Sequence, residues 1–137
     1  MTLNSTVIVR DTGFAPEDWT ASFVPLAEAA PGAPAIDLPA EADPDALALE
    51  GVQIIRIPFA SFADGRGFTL ARRLRLRGYT GRLRASGHVI ADQYAMARRA
   101  GFDEVEISAA LAARQPEDQW LARADWRAHD YQARLRG

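Results

Sequence analysis

The feature that most constrains this chain is a strand–helix alternation packed between residues 52 and 107. "VQIIRIPF" (52–59) is a nearly continuous apolar run rich in β-branched residues, the pattern of a short strand buried on both faces, with Pro58 closing its pairing. "GFTLARRLRLRG" (67–78) follows, with Leu70, Ala71 and Leu74 on one face and Gly78 as a stop, which predicts a helix. "GRLRASG" (81–87) reads as short and extended. "HVIADQYAMARRAG" (88–101) returns to helical spacing through Ile90, Tyr94 and Ala97 and ends at Gly101. "DEVEI" (103–107) is a last strand, with Val105 and Ile107 inward and the acids outward. Strand, helix, strand, helix, strand with short links implies a parallel sheet with right-handed crossovers. The fold class is therefore α/β, as an open three-layer sheet or as part of a barrel.

The flanks are less regular. "TVIVR" (6–10) reads as a short strand and "DTGFAPEDW" (11–19) as a turn anchored by Phe14 and Trp19. Residues 31–45 hold four of the eight prolines and read as a loop with one extended piece at "AIDL". Asp43 before Pro44 has the form of a helix start, a capping side chain followed by a residue whose missing N–H is harmless there. That predicts a short helix through Leu47 and Leu49 to Gly51. Residues 108–137 read as a helical C-terminal segment, capped by Ser108 and broken at Pro116, with Trp120, Leu121, Trp126, Tyr131 and Leu135 among charges. A single α/β domain over 1–137 is expected.

Composition narrows the chemistry. With 48% apolar residues, 137 residues suffice for a core without metal or disulfide. There is no cysteine, which removes disulfides, thiolate metal sites and cysteine-held clusters supplied by this chain. Only two histidines occur, about forty residues apart, so no metal site is expected. No leader pattern and no apolar run of membrane-spanning length appear, which points to the cytoplasm and away from membranes. All sixteen basic residues are arginine. Residues 1–50 carry a net −8, residues 51–100 a net +8 and residues 101–137 a net −2. Such a dipolar chain serves an anionic ligand or partner, or cancels itself inside the fold. No nucleic-acid-binding signature accompanies the arginines, and nucleic acid is not expected as a partner.

In parallel α/β sheets, ligands bind beyond the C-terminal ends of the strands. Gly65 and Gly67, at the start of a helix, would let backbone amides approach an anion, with Arg66 between them adding a charged contact. Arg84, Ser86 and His88 repeat the theme at the next strand end. Together they suggest a site for sulfate, sulfite, phosphate or a carboxylate; an ordinary turn is the competing reading, because "GRG" lacks the lysine and hydroxyl of a phosphate loop. His88 and Asp92, four residues apart, are the candidates for acid–base work, although a lone histidine at a strand end is more often a hydrogen-bonded structural residue and Asp92 reads equally as a solvent-facing acid in a helix's first turn. Arg72 and Arg75 face away from the Leu70/Leu74 stripe and, with Trp120 and Trp126, form a candidate partner surface; for the tryptophans the chain's own core is the alternative.

"IPFASFADGRGFTLARRLR" and "GYTGRLRASGHVIADQYAMARRAGFDEVEI", with the early "VRDTGF" and late "QPEDQW", resemble a bacterial family of small proteins of unknown function. Its members are encoded beside assimilatory sulfite-reductase genes and labelled probable oxidoreductases of sulfite reduction. The resemblance implies a place in sulfur assimilation. It transfers no catalytic residue, and this chain shows neither a dinucleotide fingerprint nor cluster ligands, so a flavin bound without a signature is the cofactor left open. Two expectations follow. One is an accessory protein docking on sulfite reductase or its electron donor, a homodimer built on the C-terminal aromatics. The other is a small enzyme or binding protein for an anionic ligand.

Overall fold

A computed structural model describes residues 6–19, 22–30, 32–61 and 65–126. Seven strands, β1 (Thr6–Arg10), β2 (Gly13–Ala15), β3 (Val24–Pro25), β4 (Ala35–Asp37), β5 (Ile54–Phe59), β6 (Arg82–Gly87) and β7 (Glu104–Ser108), form one sheet in the order β2-β1-β7-β6-β5-β4-β3. Four helices accompany it: α1 (Arg66–Leu76), α2 (Tyr94–Ala100), α3 (Ala109–Arg114) and α4 (Glu117–Leu121). β3 to β7 run parallel, as the alternation requires. The sheet has an antiparallel edge as well: β1 pairs antiparallel with both β7 and β2. The turn expected after β1 is a hairpin, closed at Gly13, whose φ of 116° favours a residue without a side chain.

Because β5, β6 and β7 step across the sheet in one direction, right-handed crossovers place α1 and α2 on the same face. There Ile55, Ile57, Leu83, Ala85 and Val105 meet Leu70, Ala71 and Leu74 of α1, Tyr94 and Ala97 of α2, Leu111 of α3 and Trp120 of α4. These four helices bury their apolar residues in this one cluster, so among the described residues helices cover one face of the sheet, and the sheet is open, with β2 and β3 at its edges. Phe59, Phe68 and Phe102 pack edge-on and tilted at its centre, with ring centroids 4.9 to 6.4 Å apart.

Pro58 closes only half of the pairing of β5. Ile54 N and Arg56 O bond on the β4 side of β5, so the missing N–H of Pro58 falls on that side, just past the Leu38-to-Arg56 bond that ends the β4 ladder. Pairing with β6 continues through Pro58 and Phe59. Asp43 does cap, its Oδ1 accepting from Asp45 N at 2.9 Å, yet only one 3₁₀ turn forms at Pro44–Ala46 and Leu47 is already extended. Ser108 caps α3 through Leu111 N (3.1 Å), and the C-terminal segment breaks at Pro116 before α4. Tyr131 and Leu135 lie outside the described residues.

Candidate functional site

The face of the sheet opposite the helices carries charge. Register lines up Asp37, Arg56, Arg84 and Glu104 in one row across β4, β5, β6 and β7, with Glu106 two residues further along β7. Like charges in register on adjacent strands repel, so Arg56 and Arg84 need carboxylates around them. Arg84, fully buried, donates from Nε to Glu104 (2.7 Å), from Nη1 to Glu106 (2.9 Å) and Glu17 (2.6 Å), and from Nη2 to the second oxygen of Glu17 (2.7 Å). Arg56 grips Asp37 through Nε and Nη2 (2.6 and 2.9 Å) and reaches Glu106 from Nη1 at 3.2 Å. Glu104, 2% exposed, also accepts from Arg10 (3.1 Å) and Arg82 (2.6 Å), and Asp18 bridges the same two arginines.

Aromatic rings cover the row. Phe23 lies 4.0 Å from the Arg56 guanidinium and 5.6 Å from that of Arg84, and Trp19 lies 5.8 Å from that of Arg82. Burial alone would lower the pKa of Arg84, but its bonds to Glu17, Glu104 and Glu106 outweigh that and raise it. Burial would likewise raise Glu17 and Asp18, whereas their arginine partners hold both below the ordinary carboxylate values. The face is an ionic core, with every arginine of the row charged.

At the C-terminal ends of the parallel strands this row opens into a groove of about 530 Å³, lined by Thr6, Asp37, Arg56, Ser86, Glu106 and Ser108. An apolar groove of about 410 Å³ adjoins it, with Pro25, Leu26, Leu38 and Pro39 on its walls and Asp37 and Pro58 shared between the two. This is where an open α/β sheet places its ligands.

The residues singled out from the sequence fall in several places. Ser86 lines the groove and Arg84 lies beneath the same face, bound to the chain's own acids. Gly65, Arg66 and Gly67 start α1, away from that row. Gly65 and Arg66 are exposed, with Arg66 Nη1 3.9 Å from Glu41. Gly67 is buried, and a Cβ there would lie 2.5 Å from the Phe59 ring, so packing against Phe59 requires a glycine at this position. His88 is exposed, its backbone N–H donating to Phe59 O (3.0 Å), and Asp92 accepts from Arg123 (2.8 Å). Gly87, the last residue of β6, pairs with Phe59 at φ 96°, where a Cβ would lie 2.8 Å from Phe59 O.

The partner-surface residues divide as well. Arg72 is exposed and has no ion pair among the described residues. Arg75 is instead a clamp, donating to the carbonyls of Tyr79, Gly81 and Gly101 (2.7 to 3.0 Å) and pairing with Asp103. Trp120 is 1% exposed, edge-on to Tyr94, with Nε1 donating to Gln115 O (2.9 Å). Trp126 stacks under Arg98 at 4.8 Å and donates to Asp11. Both tryptophans therefore pack on their own chain.

Sequence reasoning passed over Glu17, Asp37, Arg56, Glu104 and Glu106. Their signal was present: charges of opposite sign at alternate positions of neighbouring strands, in a chain whose first fifty residues balance its next fifty. An open, mostly parallel α/β sheet with a polar strand-end groove defines the class. Within it, the chain belongs to a family described as bacterial protein of unknown function (DUF934), whose model matches residues 35–137. No curated protein and no solved structure matches it. Among the described residues, no helix is long and apolar enough to cross a membrane and no cluster of metal-ligating side chains forms.

Proposed function

We propose that the protein is an accessory component of assimilatory sulfate and sulfite reduction that docks on an enzyme of that pathway or on its electron donor. The pathway rests on the family resemblance. The docking role rests on one observation: Leu76 of α1 is 81% exposed on the outer side of the helix that also presents Arg72. Arg10, Arg56, Arg82, Arg84 and Arg98, in contrast, are engaged by acids of the same chain. An exposed apolar anchor beside an arginine is the composition of a small, transient interface.

The test is a pull-down of the tagged protein from its host grown on sulfate, beside the Arg72→Glu/Leu76→Ser variant. The wild type should enrich sulfite reductase or its donor, and the variant should lose that enrichment at least about tenfold, as removal of an interface anchor does. Equal enrichment removes α1 as the docking face; no pathway protein on the wild type removes the docking reading. A second reading, a binding protein for an anionic ligand, is favoured by the groove that Arg56 and Ser86 line at the strand ends.

A further inference from the structure

Arg84 is held from outside the sheet by Glu17, whose two carboxylate oxygens take one N–H each from Nη1 and Nη2. That is the geometry in which a guanidinium recognises a free carboxylate or a tetrahedral oxyanion. Glu17 and its neighbour Asp18 belong to the irregular segment after β2, and their side chains are 35% and 50% exposed. They are fixed over the row by ion pairs, not by apolar burial.

The charges of the row sharpen the point. The sheet itself contributes Arg10, Arg56, Arg82 and Arg84 against Asp37, Glu104 and Glu106, one positive charge in excess. Glu17 and Asp18 add two negative charges, the charge of a single dianionic oxyanion. Glu106 Oε1 bonds both Arg56 and Arg84, and Arg56 and Glu106 line the strand-end groove, so an ion entering there arrives beside Arg84. One further group points the same way. The indole Nε1 of Trp19, next to Glu17 and Asp18, is buried with no hydrogen-bond acceptor among the described residues, a state that costs free energy unless something supplies one.

We propose that the Arg56–Arg84 pair is a binding site for a small dianionic oxyanion, entered through the strand-end groove, and that Glu17 occupies it as an internal competitor. The inference rests on the anionic-ligand reading and gives it a site and a closed state. An incoming oxyanion replaces the Glu17 carboxylate on Arg84, the segment at 17–19 lifts, and the carboxylates of Glu17 and Asp18 are released from their arginines only when the ligand is bound.

The test titrates sodium sulfate into the full-length protein by calorimetry, at constant ionic strength maintained with sodium chloride, for the wild type, Glu17→Ala, Glu17→Ala/Arg56→Gln and Arg66→Ala. Circular dichroism establishes that each is folded; if Glu17→Ala is not, Glu17→Gln replaces it, removing the charge but leaving Arg84 an acceptor. Glu17→Ala should bind sulfate at least about tenfold more tightly than the wild type, the worth of one charge-assisted contact removed from the competitor. Adding Arg56→Gln should abolish the gain. A folded Glu17 variant that binds no more tightly than the wild type overturns the site. Binding that is lost in Arg66→Ala and indifferent to Glu17 keeps the anionic-ligand reading, moves it to the start of α1, and overturns this assignment. Sulfate binding by none of the proteins overturns both.

Discussion

The two faces of the sheet solve the same problem with opposite chemistry. One buries Ile55, Ile57, Leu83, Ala85 and Val105 under four helices, with no demand on partner geometry. The other buries Arg84 and Glu104 under a loop, and each charge there is tolerable only because the next is in place. The apolar face loses stability in proportion to the volume removed. The ionic face should lose it according to which partner is left alone.

The largest expected effects compare the faces directly. Arg84→Met leaves Glu104 without its fully buried partner and should cost about 3–5 kcal/mol. Trp120→Ala, on the apolar face, should cost about the same, for lost contacts and a cavity. The second substitution separates them. Arg84→Met/Glu104→Leu should recover most of the loss in urea unfolding, since Arg10 and Arg82 are about 30% exposed and can turn to water. No such partner rescues Trp120. If the double variant is as unstable as Arg84→Met alone, the ionic face is not a set of mutually dependent charges.

Next in size is the seam between α1 and the sheet. Gly67→Ala should cost about 1–3 kcal/mol through overpacking, because the new methyl would meet the Phe59 ring at 2.5 Å. A neutral result would show that Phe59 can move aside and that this glycine is not there for packing.

How much of this was legible follows from where each signal resides. The β5–α1–β6–α2–β7 succession could be read because helical and strand periods are local: Leu70, Ala71 and Leu74 declare a face within five residues. The acids of "DEVEI" were read as outward because alternation normally means one solvated face; Glu104 is buried by Arg10, Arg82 and Arg84, between 20 and 94 residues away in sequence. Nothing near Glu104 announces them. The balance of −8 against +8 did carry the answer, as a total without addresses: Glu17, Asp37 and Asp45 of the acidic portion pair with Arg84, Arg56 and Arg73 of the basic one. The same holds for Trp120, whose environment is set by Tyr94 on another helix.

Acid should expose the difference between the faces with a smaller amplitude. Burial would raise Asp11, but hydrogen bonds from Tyr94 (2.5 Å), Arg98 and Trp126 hold it below its ordinary 3.8, and Arg84 does the same for Glu17 below 4.5. A carboxylate with a lowered pKa stabilises the fold in full above its ordinary value. That contribution fades as pH falls toward the folded value and is gone beneath it. Unfolding followed from pH 6 to pH 2 should therefore show loss beginning near pH 4 to 5. Asp11→Asn and Glu17→Gln should each flatten it by about 1 kcal/mol, the size that partial exposure leaves. An unchanged slope in both would place the acid sensitivity elsewhere.

The smallest effects belong to the outer side of α1, which neither face of the sheet uses. Arg73 pairs with Asp45 where both are about half exposed or more, so Arg73→Ala should change stability by no more than about 0.5 kcal/mol. Leu76→Ser should also leave the urea midpoint where it is, because a side chain 81% exposed has little burial to lose. That neutrality is what gives the docking proposal its meaning: a substitution that abolishes partner capture without moving the midpoint acts on the surface and not on the fold. A loss above about 1 kcal/mol at Leu76 would mean that it is covered in the folded protein, and α1 would then cease to be a free face for a partner.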